Sequence, residues 1–335
     1  MFHQARAFWN QSFSIPHPPL TEKNLPDQNG KVYLITGANT GVGYQLATIL
    51  YSRNAKVYIG ARSEAKALAA IDNLKQLHPK SEGSLEYLHL DLSDLTTIKA
   101  TAEEFMSRET KLHWLNNNAG VMVPPEGSKG AQGIDLQFQT NILGPFLLTK
   151  LLLPILRRTA EAEPQGTVRV SWAGSLTVDV QTVKGGLAWK MDKDGQDTLD
   201  DSKGNRLNYG ATKAANYFLA HEFGKRFGSR DGVLHTSYNP GNLKSDLQRH
   251  TESQWPAFAR WILHHWLLYP AIFGAYTELY SGLSPDLTIK EQGVYIVPWG
   301  RRASVRPDLV AELGKEGGSP ERLFEWCDRV TKQYA

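Results

Sequence analysis

The chain has 335 residues, enough for one large α/β domain with additions, and its 41% hydrophobic and 10% aromatic content supplies a sizeable core. Its formal net charge of +3 comes from 37 basic and 34 acidic residues, a near balance that excludes the basic footprint of a nucleic-acid binder. The single cysteine, Cys327, excludes an intrachain disulfide framework and fits a reducing compartment, so a cytoplasmic protein is expected.

Residues 1–23 contain Arg6 and Pro16, Pro18 and Pro19 but no continuous apolar stretch, and read as an N-terminal tail rather than a signal peptide. Val32–Thr36 is a buried-strand candidate, followed by a helix from Gly41 to about Arg53. Further strands are predicted over 56–60, 85–90, 112–116, 168–173, 234–238 and 294–298. Helices are predicted between them over 64–77, 95–107, 135–158 and 208–227. Pro145 and Pro154 must each remove a backbone hydrogen bond from the long fourth helix or bend it. This alternation predicts a Rossmann-type, doubly wound parallel sheet in a three-layer α/β/α domain.

Two segments break the rhythm. Residues 182–206, with Asp192, Asp194, Asp197, Asp200 and Asp201, read as a solvated insertion. Residues 243–283 are aromatic and helix-prone, and they follow a strand end of the kind where ligands bind, so 243–290 is expected to form a helical substrate lid. Its Trp255, Phe258, Trp261, Trp266, Tyr269 and Phe273 suit a bulky apolar substrate, and equally suit packing on the sheet or a contact in a homo-oligomer. The apolar run at 255–275 is interrupted by Pro256, Arg260, His264, His265 and Pro270 and falls short of the ~18–20 residues of a spanning helix. It leaves peripheral membrane docking open. The whole chain is read as one domain, with a core over 30–242 and a last strand and C-terminal segment over 291–335.

Gly37-x3-Gly41-x-Gly43 follows a strand and opens a helix, the context that makes a glycine pattern a dinucleotide site. Gly37 permits the sharp turn, Gly41 lets the backbone approach phosphate, and Gly43 lets helix and sheet pack closely. The amides near Thr40 and Val42 then face the anion with the helix dipole behind them. Where a NAD-binding chain would carry an acid after the second strand, this one has Arg62, with Lys66 one turn on. Two cations that can converge on a 2′-phosphate argue for NADP(H), against the alternative of a solvated basic patch. Asp91 is placed either to take a hydrogen bond from adenine or to serve as a turn aspartate.

Tyr209 and Lys213 stand at i and i+4, on one helix face. A phenol near pKa 10 is a poor acid or base at neutral pH, and a neighbouring ammonium group is expected to lower that value. Thr36–Gly43, Asn117-Asn118-Ala119-Gly120, Asn141, Ser175, Tyr209-x3-Lys213 and Pro240-Gly241 occur in an order that resembles the short-chain dehydrogenases/reductases over roughly residues 30–245. The wording at Asn118–Met122, Pro124–Ser128 and Tyr295–Gly300 is most similar to the retinol-dehydrogenase-like and WW-domain-oxidoreductase-like branch, and to its fungal members.

The resemblance implies that Tyr209 is the general acid/base and that Lys213 binds the nicotinamide ribose and acidifies the tyrosine. It implies further that Ser175 hydrogen-bonds the substrate oxygen, Asn141 holds a relay water, and Asn118 lines the nicotinamide side. Gly241 would pass the carboxamide and Ser245 would stand near the diphosphate. Ser171 is the alternative serine, and Pro145 stands where relatives often have His. The expected activity is NADP(H)-dependent interconversion of an alcohol and a carbonyl on a bulky apolar molecule, in fungal secondary metabolism, with no metal. A catalytically silent NADPH-binding sensor and a membrane-peripheral enzyme are the alternative readings.

Overall fold

The computed structural model describes residues 2–244 and 267–335. Ser245, Trp255, Phe258, Trp261 and Trp266 lie outside the described residues, and with them most of the expected lid.

The first element is a helix, α1 (Phe2–Ser12), in what the sequence reads as a tail. Strand β1 (Val32–Thr36) is an unbroken apolar run and is buried on both faces, as a central parallel strand must be. It leads into α2 (Gly41–Ser52), β2 (Lys56–Ala61), α3 (Glu64–Leu77), β3 (Ser84–His89), α4 (Leu95–Arg108) and β4 (Trp114–Asn117). Ser63 caps α3 and Asp94 caps α4, each accepting from a first-turn amide.

Helix α5 (Leu136–Ala162) contains a π turn at Gln139–Leu143, immediately ahead of Pro145. The proline lacks the N–H that an α-helix directs at the carbonyl four residues earlier, here Asn141, and the wider turn accommodates that loss. Among the described residues α5 alone is long and apolar enough to cross a membrane, but it is mostly buried and packs in the core.

Strand β5 (Val168–Ala173) is followed by the short strands β6 (Trp189–Met191) and β7 (Asp197–Leu199). These two form an antiparallel hairpin inside the expected solvated insertion. Most of its turn and of β6 is exposed, as the expected solvated insertion requires, while β7 is docked: Arg322 pairs with Asp197, and the Trp326 indole donates to Thr198. Helix α6 (Asn205–Phe223) precedes β8 (Val233–Tyr238). Helix α7 (Ala271–Leu283) leads to β9 (Val294–Val297), β10 (Arg301–Ala303), α8 (Pro307–Leu313) and α9 (Ser319–Thr331).

The main sheet has eight strands in the order β10-β9-β8-β5-β4-β1-β2-β3, parallel except for β10. The order reverses between β1 and β4, so the crevice at their carboxyl ends is the topological switch point. One hydrophobic cluster joins the sheet to α4, α5, α6 and α9 through residues such as Phe105, Leu147, Phe218 and Phe324. The other joins it to α2, α3 and α7 through Leu46, Ile71 and Leu279.

The described part of the expected lid is therefore corrected. Residues 271–283 form the buried crossover helix between β8 and β9. Tyr269 and Phe273 pack on Trp299, with ring centroids 5.0 and 5.1 Å away. The loop after β8 must return to the sheet through a helix, and these aromatics serve that packing.

Candidate active site

The turn after β1 builds the first half of the site. Gly37 and Gly41 have φ of +71° and +61°, which only glycine adopts without strain. Thr40 occupies the N-cap of α2 in an extended conformation, and its side chain makes no capping bond, so the amides of Gly41 and Val42 point outward uncapped. At Gly43 an added Cβ would lie 2.6 Å from Asn118 Nδ2 and 2.9 Å from the Gly37 carbonyl. The Asn118 amide donates to the Thr36 carbonyl at 2.8 Å, and the Thr36 hydroxyl accepts from the Ala119 amide at 2.9 Å. The β1 and β4 ends are thus stitched into one floor.

This floor belongs to a cleft of about 430 Å³ lined by Gly37, Thr40, Gly41, Val42, Arg62, Asp91 and Asn118 among others. Arg62 is exposed at its edge. Lys66 is also exposed but lies in the first turn of α3, outside the lining. Asp91 lines the cleft while its Oδ1 accepts from the amide and hydroxyl of Ser93 at 2.9 and 2.6 Å, so it has the turn role as well. Gly241, with φ of +98°, packs its bare Cα against the Trp299 ring, and its amide donates to Asn239 Oδ1 at 2.9 Å.

The second half comes from β5 and α6. Lys213 is buried, with Nζ donating to the Ala173 carbonyl at 3.0 Å and standing 5.4 Å from the Tyr209 ring centroid. The half-buried Tyr209 phenol is pushed up to about 12 by removal from water, and a hydrogen bond with Ser175 acts against that rise. The acidification expected from the i+4 lysine does not outweigh burial here. Lys213 is itself pushed down to about 8, because a low-dielectric site disfavours its charge, while Glu278 acts in its favour. Of the two candidate serines, Ser175 meets the tyrosine. Ser171 is committed inside the sheet, with Trp114 Nε1 donating to it at 2.9 Å and Thr236 Oγ1 at the same distance.

Asn141 spends its side chain on structure. Its Oδ1 accepts from the Val121 amide at 2.8 Å, and its Nδ2 donates to the Val121 carbonyl at 2.9 Å and to Thr212 Oγ1 at 3.1 Å. A Cβ placed on Gly120, which lines the cleft, would lie 3.1 Å from Asn141 Oδ1 and 3.7 Å from Lys213 Nζ. Asn141 and Lys213 therefore stand directly behind Gly120 of the cleft lining.

Two residues escaped the sequence reading. Tyr295 on β9 donates to the Ser175 carbonyl at 2.8 Å and so holds the serine loop. Glu278 is fully buried on α7, accepts from Asn116 Nδ2 at 2.8 Å, and is pushed up to about 8 by burial. A lone acid in the apolar run of 271–283 is a signal that was available. The role of Tyr295 has no local signal.

A family model described as short chain dehydrogenase matches residues 31–169. A short-chain dehydrogenase/reductase of Phomopsis amygdali is 43% identical over 340 aligned positions, covering 99% of this chain and 98% of that protein. A solved structure from Mycobacterium paratuberculosis superposes with a TM-score of 0.66 at 23% identity, covering 93% of this chain and 97% of that one. The Pseudomonas aeruginosa RhlG/NADP complex superposes with a TM-score of 0.52 at 24% identity, covering 71% and 80%.

Proposed function

Because the chain belongs to the short-chain dehydrogenase/reductase family, an oxidoreductase family that uses NAD or NADP, we propose that it is an NADP(H)-dependent enzyme interconverting a carbonyl and an alcohol on a bulky apolar small molecule. The reading rests on one observation: Lys213, which stands beside the Tyr209 ring, lies behind Gly120 of the cleft lining, and Ser175 is the serine that bonds the tyrosine. The residues present fit the cofactor. The uncapped start of α2 suits a diphosphate, and Arg62, where an acid would select NAD, suits a 2′-phosphate. Asp91, Asn118, Lys213 and Gly241 are proposed to hold the adenine, the nicotinamide side, its ribose and its carboxamide. The role of Ser245 at the diphosphate, outside the described residues, is proposed on the same resemblance, and Lys66, off the cleft lining, is the weakest candidate of the set. When bound, the nicotinamide supplies or accepts the hydride.

The chain's own residues handle the proton. Tyr209 holds its proton at neutral pH and is the group proposed to give it to a carbonyl oxygen in reduction or to recover it in oxidation. Ser175 stands beside that hydroxyl to steady developing negative charge on the oxygen. For Asn141 we assign the relay to the backbone carbonyl, which Pro145 relieves of its α-helical donor, because the side chain is already committed. A place in fungal secondary metabolism is proposed on the resemblance to fungal members of the family alone.

The decisive experiment follows NADPH absorbance with a panel of ketones and aldehydes. Tyr209→Phe is expected to lower kcat by about 10²–10⁴-fold with NADPH affinity retained. Unchanged turnover in that variant would overturn the mechanism.

A further inference from the structure

The N-terminal helix lies where no cofactor-site motif predicts an element, and its contacts are specific. Gln11 and Ser12, at its C-terminal end, are buried. Gln11 Nε2 donates to Asp179 Oδ2 at 3.0 Å, and Gln11 Oε1 accepts from Asn239 Nδ2 at 2.7 Å. Asp179 stands four residues after Ser175, in the single helical turn that begins at Thr177. Asn239 in turn receives the Gly241 amide on its Oδ1. One side-chain amide therefore joins the serine loop, which reaches Tyr209, to the Pro-Gly loop.

The neighbouring bonds extend the same junction. The Asp179 Oδ1 atom also meets His3 Nε2 at 3.1 Å and the Arg306 amide at 2.8 Å. Ser12 Oγ accepts from Asn242 Nδ2 at 2.9 Å, and the Ser12 carbonyl accepts from the Tyr269 hydroxyl at 3.0 Å. Asn10 presents its carbonyl to Arg301 at 2.7 Å. Helix α1 is thus bonded to the segments that follow β5, β8 and β9, all at the carboxyl edge of the sheet.

We propose that Gln11 is a positioning residue that locks the catalytic-serine loop to the Pro-Gly loop, making the first helix of the chain a wall of the active site. The chemistry requires an amide at this position. Asp179 needs a donor and Asn239 needs an acceptor, and both sit in sites where an unpartnered polar group is costly. A methionine of similar length supplies neither. A glutamate supplies the acceptor but faces Asp179 with a second carboxyl group. Losing the bridge frees Asn239 to turn, and with it the atom that holds the Gly241 amide.

This proposal deepens the reductase reading and rests on it for its kinetic arm alone. In the full-length chain, hydrogen exchange is measured on peptides spanning 174–181 and 238–244. Gln11→Met is expected to speed exchange in both by about tenfold or more, with α3 unchanged. Gln11→Glu is expected to loosen 174–181 while 238–244 stays near wild type, a split that general destabilisation does not produce. In the kinetic arm, Gln11→Met lowers kcat by about tenfold or more, because small displacements of reacting groups are costly, while KM for NADPH moves by less than about threefold. Wild-type protection of both loops in Gln11→Met, or undiminished kcat in a folded variant, overturns the proposal. A wild-type chain that reduces no carbonyl sinks the reductase reading instead, and the exchange arm still decides the bridge.

Discussion

Tyr209 and Lys213 share a helix face, yet what sets their proton affinities is the apolar wall around them. Burial drives the phenol up to about 12 and the ammonium down to about 8, each away from its charged form. The lysine consequently titrates inside the working pH range. As pH rises through about 8 the cation beside Tyr209 is lost, and kcat/KM for reduction should fall about tenfold per pH unit above that point. The sign for stability is opposite. A folded value below the ordinary 10.5 means that holding the proton costs stability below about pH 8, and that cost is relieved between about 8 and 10.5. Unfolding from this group therefore cannot mimic the alkaline limb. A pH profile of Lys213→Arg, whose cation persists, should lose the limb or move it upward. At the other end of the cleft, Arg62→Ala should reduce the preference for NADPH over NADH by about tenfold or more, read as the ratio of kcat/KM values. An unchanged ratio would reassign the cofactor.

At the scale of elements, geometry explains why certain segments read poorly. The β6–β7 hairpin is rich in aspartate and looks solvated, but Asp197 pairs with Arg322, and Trp189 lies under the Arg322 guanidinium at 4.4 Å. Helix α7 is apolar because it is a crossover between β8 and β9, a placement no local pattern distinguishes from a lid. The α2 start, by contrast, was legible because a turn with positive φ and a close helix–strand approach admits little besides glycine. Its tightest point gives a prediction. Gly43→Ala puts a methyl group 2.6 Å from Asn118 Nδ2, so the floor between β1 and β4 must shift. A loss of about 1–3 kcal/mol is expected in denaturant unfolding, with NADPH binding weakened at least tenfold. Wild-type affinity in Gly43→Ala would show that the floor yields without consequence.

For the whole molecule, the C-terminal segment completes the side of the core formed by α4, α5 and α6. Helix α9 inserts Leu323, Phe324 and Trp326, and the buried Cys327 thiol is pushed well above its ordinary range by its surroundings. The single thiol is thereby a reporter of global unfolding. An aromatic disulfide reagent should leave Cys327 unmodified in the native protein and react fully in denaturant, at a rate that follows loss of circular dichroism. Rapid native-state labelling would mean that α9 opens independently of the rest.

By itself the sequence determined strands β1–β5, β8 and β9, helices α2–α6, the glycine turn, the arginine at position 62 and the Tyr209–Lys213 pair. Each of these depends on spacing or backbone freedom within a few residues. Tertiary structure alone decided that Ser175 rather than Ser171 meets the tyrosine, that the Asn141 side chain is spent on Val121, and that Gln11 on α1 bonds both Asp179 and Asn239. These facts join residues tens to hundreds of positions apart, and burial, which reverses the expected direction of the Tyr209 shift, exists only once the layers close over the sheet.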